Sequence, residues 1–210
     1  MDTLKAQFSI HNLSLENKNI FGIHPGTWGK PSQIANAISS IMTRHNLSSY
    51  VALDCNIEPE ALSKKTYPLL LMIPTMCGLD TLDPLLFPFL KHIFTIKENL
   101  GIVSGYCGSA YYVVDIKDSE EVFYFDPHVV QKAVTKSEQF ESFFSQPIQK
   151  MEMSQLNPSI LLCFECPNEE RTKNIIKELT EFPKSPLMYS SQIDDEVINH
   201  VLDIDDIELQ

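Results

Sequence analysis

Apolar positions in this chain fall into runs of three kinds, and each kind predicts a different element. Tyr67 to Ile73 (YPLLLMI) and Ser159 to Glu165 (SILLCFE) are continuous apolar runs of strand length, as expected of strands buried on both faces. Ser109–Ile116 and Val122–Phe125 are β-branched and aromatic, with the polar turn Lys117-Asp118-Ser119-Glu120 between them. The whole stretch Leu100 to Gln131 therefore reads as three short strands. Three-and-four spacing marks the helices. Pro31 opens one whose apolar face is Ile34, Ile38 and Ile41 with Ala37 and Met42; Arg44 and His45 fall in its last turn and Asn46 ends it. A second helix is expected from Asp83 or Pro84 to about Thr95, with Leu85, Leu86, Phe89, Leu90, Ile93 and Phe94 inward and Pro88 within its first turn or so. Asn168 is a good N-cap for a third, Glu169 to Glu181, with Ile175, Ile176 and Leu179 apolar.

Between these lie weaker signals. Val51–Leu53 and Met151–Met153 are short candidate strands, and Glu58–Lys65 is polar and helical in character. Pro74 is expected to end the strand before it. Residues 1–20 mix small apolar patches with Asn, Ser and Lys, and Phe8-Ser9-Ile10-His11 is where order is expected to start. Phe21 to Pro31 carries three glycines and two prolines and reads as a loop. It holds the sole tryptophan, Trp28. A large aromatic on such a loop is either a plug for the core or a lid over a groove, and the core is the favoured placement. The chain turns polar from Ser137 to Glu141, and its last twenty residues read as a frayed helix or a disordered tail. The order of elements gives one α+β domain over residues 1–190 with an acidic tail over 191–210.

Bulk composition narrows the setting. The 210 residues suffice for one real core, burying about 70 % of the unfolded surface. A net charge of −12 excludes nucleic acid as a natural partner, since phosphates demand basic patches. Asp194 to Glu208 contributes seven acids and no Lys or Arg, so more than half of that excess sits in the tail. Five cysteines, scattered in or beside apolar runs, fit reduced thiols better than a disulfide framework. No signal peptide opens the sequence and no apolar run approaches the ~18 residues of a membrane span. The expected setting is the cytoplasm.

The tripeptide Asp126-Pro127-His128, at the end of the double strand, is the most chemically loaded stretch. In extended backbone residues i and i+2 share a face with Cα atoms roughly 6.6 Å apart. A carboxylate so placed reaches the imidazole, fixes its tautomer and stabilises the imidazolium, the supporting arrangement of nucleophilic catalysis. Pro127, with fixed φ and no N–H, suits a strand end. The bland alternative is a turn opener followed by a solvated histidine. Cys163-Phe164-Glu165-Cys166 has CxxC spacing, but it lies in an apolar strand with no second knuckle, and reads as core cysteines rather than a zinc or redox site. Gly101-Ile102-Val103-Ser104-Gly105 lacks the Lys-Ser/Thr ending of a phosphate loop. No metal or cofactor is expected.

Six stretches together resemble the autophagins, the cysteine proteases that process the ubiquitin-like modifier of autophagy. They are Trp28-Gly-Lys-Pro-Ser-Gln-Ile-Ala, Pro68-Leu-Leu-Leu-Met-Ile-Pro-Thr, Leu90-Lys-His-Ile-Phe, Leu100-Gly-Ile-Val-Ser-Gly, Ser109-Ala-Tyr-Tyr and Tyr124-Phe-Asp-Pro-His-Val-Val-Gln. The resemblance runs from about Phe8 to Glu181. It implies a papain-like fold and a triad in the chain order Cys, Asp, His, with His128 as general base and Asp126 as its orienting carboxylate. Trp28 would sit beside the groove that admits the C-terminal glycine of the modifier, free or lipid-conjugated, and Gly105-Tyr106-Cys107-Gly108 would match the loop that gates this groove. The family usually has Lys-Pro-Asn where this chain has Tyr106-Cys107-Gly108, and His where it has Tyr111. Membrane contact is expected only through a lipidated substrate.

The nucleophile is the larger departure. In the family it lies in a Gly-Trp-Gly-Cys motif at the start of a long buried helix, before the segment matched by Phe8, and this chain does not contain that motif. Cys55, Cys77, Cys107, Cys163 and Cys166 do not correspond to it, although Cys107 is near the hairpin in sequence. The expected fold is thus α+β and papain-like, lacking the N-terminal portion with the nucleophile helix, and one sheet face should be left bare. Several readings follow: a fragment of an active peptidase, a shortened or catalytically dead form that only binds the modifier, half of a two-chain enzyme, or a protease for another ubiquitin-fold modifier. Ile204 to Leu209 resembles modifier-interacting segments without their usual aromatic, so a solvating tail is the simpler account.

Overall fold

A computed structural model describes residues 6–128 and 147–190. The polar stretch Ser137–Glu141 and the acidic tail lie outside the described residues. Helices α1 (Ile10–Phe21) and α2 (Pro31–Arg44) come first, followed by β1 (Ser48–Val51), β2 (Asn56–Ile57) and α3 (Pro59–Ser63). Then come β3 (Leu69–Met76), a 3₁₀ turn (Pro84–Leu86) leading into α4 (Phe87–Ile93), and the meander β4 (Asn99–Tyr106), β5 (Ser109–Ile116) and β6 (Glu121–Phe125). Next are β7 (Gln149–Glu152), a 3₁₀ turn (Met153–Gln155), β8 (Ser159–Cys166), α5 (Glu169–Thr180) and β9 (Met188–Tyr189). Seven strands form one sheet in the order β1-β3-β8-β4-β5-β6-β7, and β2 pairs with β9 apart from it. Only β1–β3 is parallel within the large sheet; its other pairings are antiparallel. The architecture is the mixed α+β one expected.

The strand alternation of period two decides what each face meets. Leu69, Leu71 and Ile73 of β3, Leu162 and Phe164 of β8, Ile102, Val113, Val122 and Tyr124 point to one side. There they pack with Phe89, Leu90 and Ile93 of α4 and Ile175, Ile176 and Leu179 of α5 in the main core. On the other side Met72 and Leu161 meet Ala35 of α2, with Leu70, Val103 and Cys163 around them. Helix α1 lies on α2, where buried Glu16 accepts from Ser40 and from Arg44 at 2.6 Å. Arg44 and Ser40 together hold the Glu16 carboxyl below its ordinary value. No helix of the described residues is long and apolar enough to cross a membrane.

Several expectations need correcting. The chain is already helical from Ile10, where Ser9 caps α1 by accepting from the Asn12 N–H at 3.2 Å, and Gly22 ends it in the left-handed region at φ 70°. The apolar period missed this helix because its two buried residues, Glu16 and Asn17, are polar. Trp28 is not in the core; it is 58 % exposed on the α1–α2 loop. Leu85 is exposed as well, because Pro88 splits the expected helix into a 3₁₀ turn and α4, each opening with its own proline. Pro74 does not end β3, which runs on to Met76. The Pro74 carbonyl faces Cys55 Sγ at 3.9 Å rather than β8, so its missing N–H also faces away from the ladder. The short strand expected at Val51–Leu53 lies earlier, at Ser48–Val51. Asn168 caps α5 as expected, accepting from the Arg171 N–H at 2.8 Å.

Candidate active site

Strand β6 is held on one flank by β5 and on the other by β7, and it delivers Asp126 immediately after its last residue, Phe125. The Asp126-Pro127-His128 backbone is not the extended one expected. It turns, and Asp126 Oδ1 accepts from the His128 backbone N–H at 2.9 Å, closing an Asx-type turn. The same oxygen lies 2.7 Å from His128 Nδ1. The carboxylate and imidazole are therefore paired as the sequence suggested, by a tighter route. Those two hydrogen bonds, the backbone one first, hold the Asp126 carboxyl below its ordinary value, so it is ionised at neutral pH and can only accept. Nδ1 must then carry the proton, and in the neutral ring Nε2 is left as the basic nitrogen. The His128 side chain is 52 % exposed and that of Asp126 is 23 % exposed, so the pair is open to a reactant.

The loop Gly105-Tyr106-Cys107-Gly108 is a tight hairpin turn. Tyr106 pairs with Ser109, leaving Cys107 (φ 48°) and Gly108 (φ 81°) as its two central residues, both left-handed, in the type I′ manner. Gly105 is required for another reason. A Cβ there would stand 2.3 Å from the Ser109 carbonyl oxygen, so only glycine lets β4 and β5 approach this closely. The Gly105 carbonyl accepts from Asn157 N at 2.7 Å, and Ser104 Oγ donates to Asn157 O at 2.9 Å, which ties the hairpin to the segment before β8. The Cys107 thiol beside Tyr106 raises the Tyr106 hydroxyl above its ordinary value.

Period-two alternation could have found two further residues, Tyr111 of β5 and Tyr124 of β6. Their rings lie 4.5 Å apart, and the Tyr111 ring stands perpendicular to His128 at 6.2 Å between centroids. Trp28 makes no ring contact with His128 among the described residues. The thiols divide sharply. Burial pushes Cys77 and Cys163 up to about 12 and raises Cys166 as well. Cys77 and Cys166 are buried in the main core and Cys163 is half-buried against the smaller cluster, so these three pack with apolar side chains as the strand reading of Cys163 and Cys166 implied. Cys55 is half-buried and Cys107 is exposed. All five are free. Among the described residues no group of three or more His, Cys, Asp or Glu side chains is placed to hold a metal ion.

Comparison with known proteins gives this arrangement a context. The family described as the peptidase C54 catalytic domain matches residues 1–178. The chain is 30 % identical over 175 residues to the "probable cysteine protease atg4" of Schizosaccharomyces pombe, covering 80 % of this chain and 54 % of that protein. It is 27 % identical over 243 residues to "cysteine protease ATG4A" of Oryza sativa subsp. indica, covering 94 % of this chain and 51 % of the relative. With "cysteine protease ATG4b" of Arabidopsis thaliana the identity is 26 % over 204 residues, 80 % of this chain and 42 % of the relative. The chain spans about half the length of the curated relatives it matches.

Proposed function

The chain belongs to the peptidase C54 family, papain-like cysteine proteases of autophagy, and on that premise we propose that it is the base-bearing part of such a peptidase. Its substrate is a ubiquitin-like autophagy modifier, cut after its C-terminal glycine or released from a lipid amine. His128 Nε2 takes the proton of a cysteine thiol, and the thiolate attacks the scissile carbonyl. Asp126 holds the imidazole by Nδ1 and stabilises the imidazolium. His128 then returns the proton to the departing amine, and water hydrolyses the acyl-enzyme. The observation that carries this reading is the 2.7 Å contact of Asp126 Oδ1 with His128 Nδ1 on an exposed turn. Trp28 and the Gly105-Tyr106-Cys107-Gly108 hairpin form the substrate groove in this reading. Residues 1–190 are read as one protease-like domain, a view supported by the single main sheet and core, with 191–210 as its acidic tail.

The nucleophile is a Gly-Trp-Gly-Cys cysteine that these 210 residues do not contain, supplied by another segment or a second chain. Support comes from the outer face of β5 and β6, which no helix among the described residues covers and where Tyr112 is 44 % exposed and Val114, Phe123 and Phe125 are half-buried. The test joins a Gly-Trp-Gly-Cys segment to this chain and measures cleavage of the modifier precursor. Cleavage that disappears in His128→Ala and in Asp126→Asn is the expected result. A second reading, a module that binds the modifier without cutting it, is favoured by the burial of Cys77 and Cys166 and the part-burial of Cys163. Capture of the modifier by a chimera that leaves every precursor uncut would establish it in place of the first.

A further inference from the structure

We infer that Tyr111 is a positioning residue for His128, its ring braced on Tyr124 and holding the imidazole plane so that Nε2 faces the reacting thiol. The inference rests on the peptidase reading for its purpose, while its geometry stands apart from that reading. Among the described residues, the two hydrogen bonds to His128 converge on one atom, Asp126 Oδ1, from the backbone N–H at 2.9 Å and from Nδ1 at 2.7 Å. A ring anchored through one of its atoms can still tilt about that anchor, and the 52 % exposure of this side chain leaves room for it to do so. A second contact is needed to define the plane, and Tyr111 makes it. Its ring is perpendicular to the imidazole, 87° between planes at 6.2 Å. That lies within the range where the positive edge of one aromatic ring is drawn to the negative face of another.

Tyr111 can act as a brace because it is itself held. It is half-buried against the main core, with its ring 4.5 Å from that of Tyr124. Tyr124 is 8 % exposed, and its hydroxyl donates to Gln149 Oε1 of β7 at 3.3 Å. A line of contact therefore runs from β7 through Tyr124 and Tyr111 to the imidazole. The Asp126 carboxylate favours the Nδ1–H tautomer, and the Tyr111 ring, by holding the imidazole in the plane where Nδ1 meets Oδ1, keeps that preference in force. Tyr111 touches no reacting atom in this scheme, so it is not a catalytic residue.

The experiment is NMR of the ring carbons and nitrogens of His128 in the full 210-residue chain. In Tyr111→Leu the ratio of Nδ1–H to Nε2–H tautomer should fall roughly 2- to 10-fold, the worth of one aromatic pair. The His128 ring protons should also move toward their free-histidine shifts. Tyr111→Phe, which keeps the ring and loses the hydroxyl, should restore both. If Tyr111→Leu fails to fold, Tyr111→Met replaces it, with an unbranched side chain of similar reach. Unchanged ring shifts and tautomer ratio in a folded aliphatic variant would overturn the inference, and so would a Tyr111→Phe variant that behaves like Tyr111→Leu. Failure of the peptidase reading would show elsewhere, as an inert chimera with the NMR contrast intact.

Discussion

Among the described residues the sheet is covered on both faces at one end and on one face at the other. At the β3–β8 end, Leu71, Ile73, Leu162 and Phe164 face α4 and α5 while Met72 and Leu161 face α2, and all six are at most 3 % exposed. At the β5–β6 end, Val113, Val122 and Tyr124 are buried on the core side. The outer side instead carries a Tyr112–Phe125 stack at 6.5 Å and the Lys117 ammonium 5.7 Å from the Phe123 ring. Tight packing is concentrated at the first end. The paired carboxylate and imidazole project from the second, where less packing depends on them.

The largest effect should separate the two ends directly. Phe164→Ala is expected to cost about 3–5 kcal/mol, as for other buried phenylalanines. Phe125→Ala, half-buried, should cost about 1 kcal/mol. Urea titrations with equal m values would measure the difference, and equal losses would dissolve the distinction between the ends. A smaller effect tests whether the exposed end is nonetheless tightly built. Gly105→Ala should cost about 1–3 kcal/mol by forcing β4 and β5 apart. Gly108→Asn should be tolerated, because a Cβ at Gly108 meets nothing within 4 Å and Asn accepts the left-handed region. A Gly105→Ala variant as stable as the parent would show the hairpin to be loose.

The smallest effect lies in the pH dependence of the Asp126 turn. The folded carboxyl is held below its ordinary value. Its contribution to stability is therefore present above the ordinary carboxylate range and is lost as pH falls through the lowered folded value. Asp126→Asn should flatten that part of the acid limb and leave stability above pH ~6 independent of pH to the same degree as the parent. Urea midpoints measured from neutral to acid pH decide it; an unchanged acid limb in the variant would mean that the turn contributes nothing.

Much of this was legible from residue order because the strongest elements obey one period each. YPLLLMI and SILLCFE needed no context to be read as buried strands, and Asn168 announced α5 through its cap. Helix α1 was hidden because it buries Glu16 and Asn17, a polar seam satisfied by α2 that no apolar period records. Leu85 was misplaced because the sequence shows two prolines, Pro84 and Pro88, without showing that each begins its own turn. At the candidate site the pairing of Asp126 with His128 was readable, while its turn geometry was not, since Asp-Pro-His suits a strand end and an Asx turn alike. Alternation along β5 puts Tyr111 on the core-facing side, while its place beside His128 shows only in the tertiary structure. Its contact with His128 depends on how the β5–β6 ladder ends.

Pro74 has a consequence for how copies of this molecule meet one another. The β1 ladder stops at Met72, so from Ile73 onward the outer flank of β3 faces the Asp54–Cys55 turn instead of a strand. A strand flank left without a ladder partner is a template on which another chain can add itself once its cover moves away. With no N–H at its centre, this flank cannot complete a ladder. Pro74 thus removes one ladder donor from the outer flank of an apolar strand, at no cost to its pairing with β8.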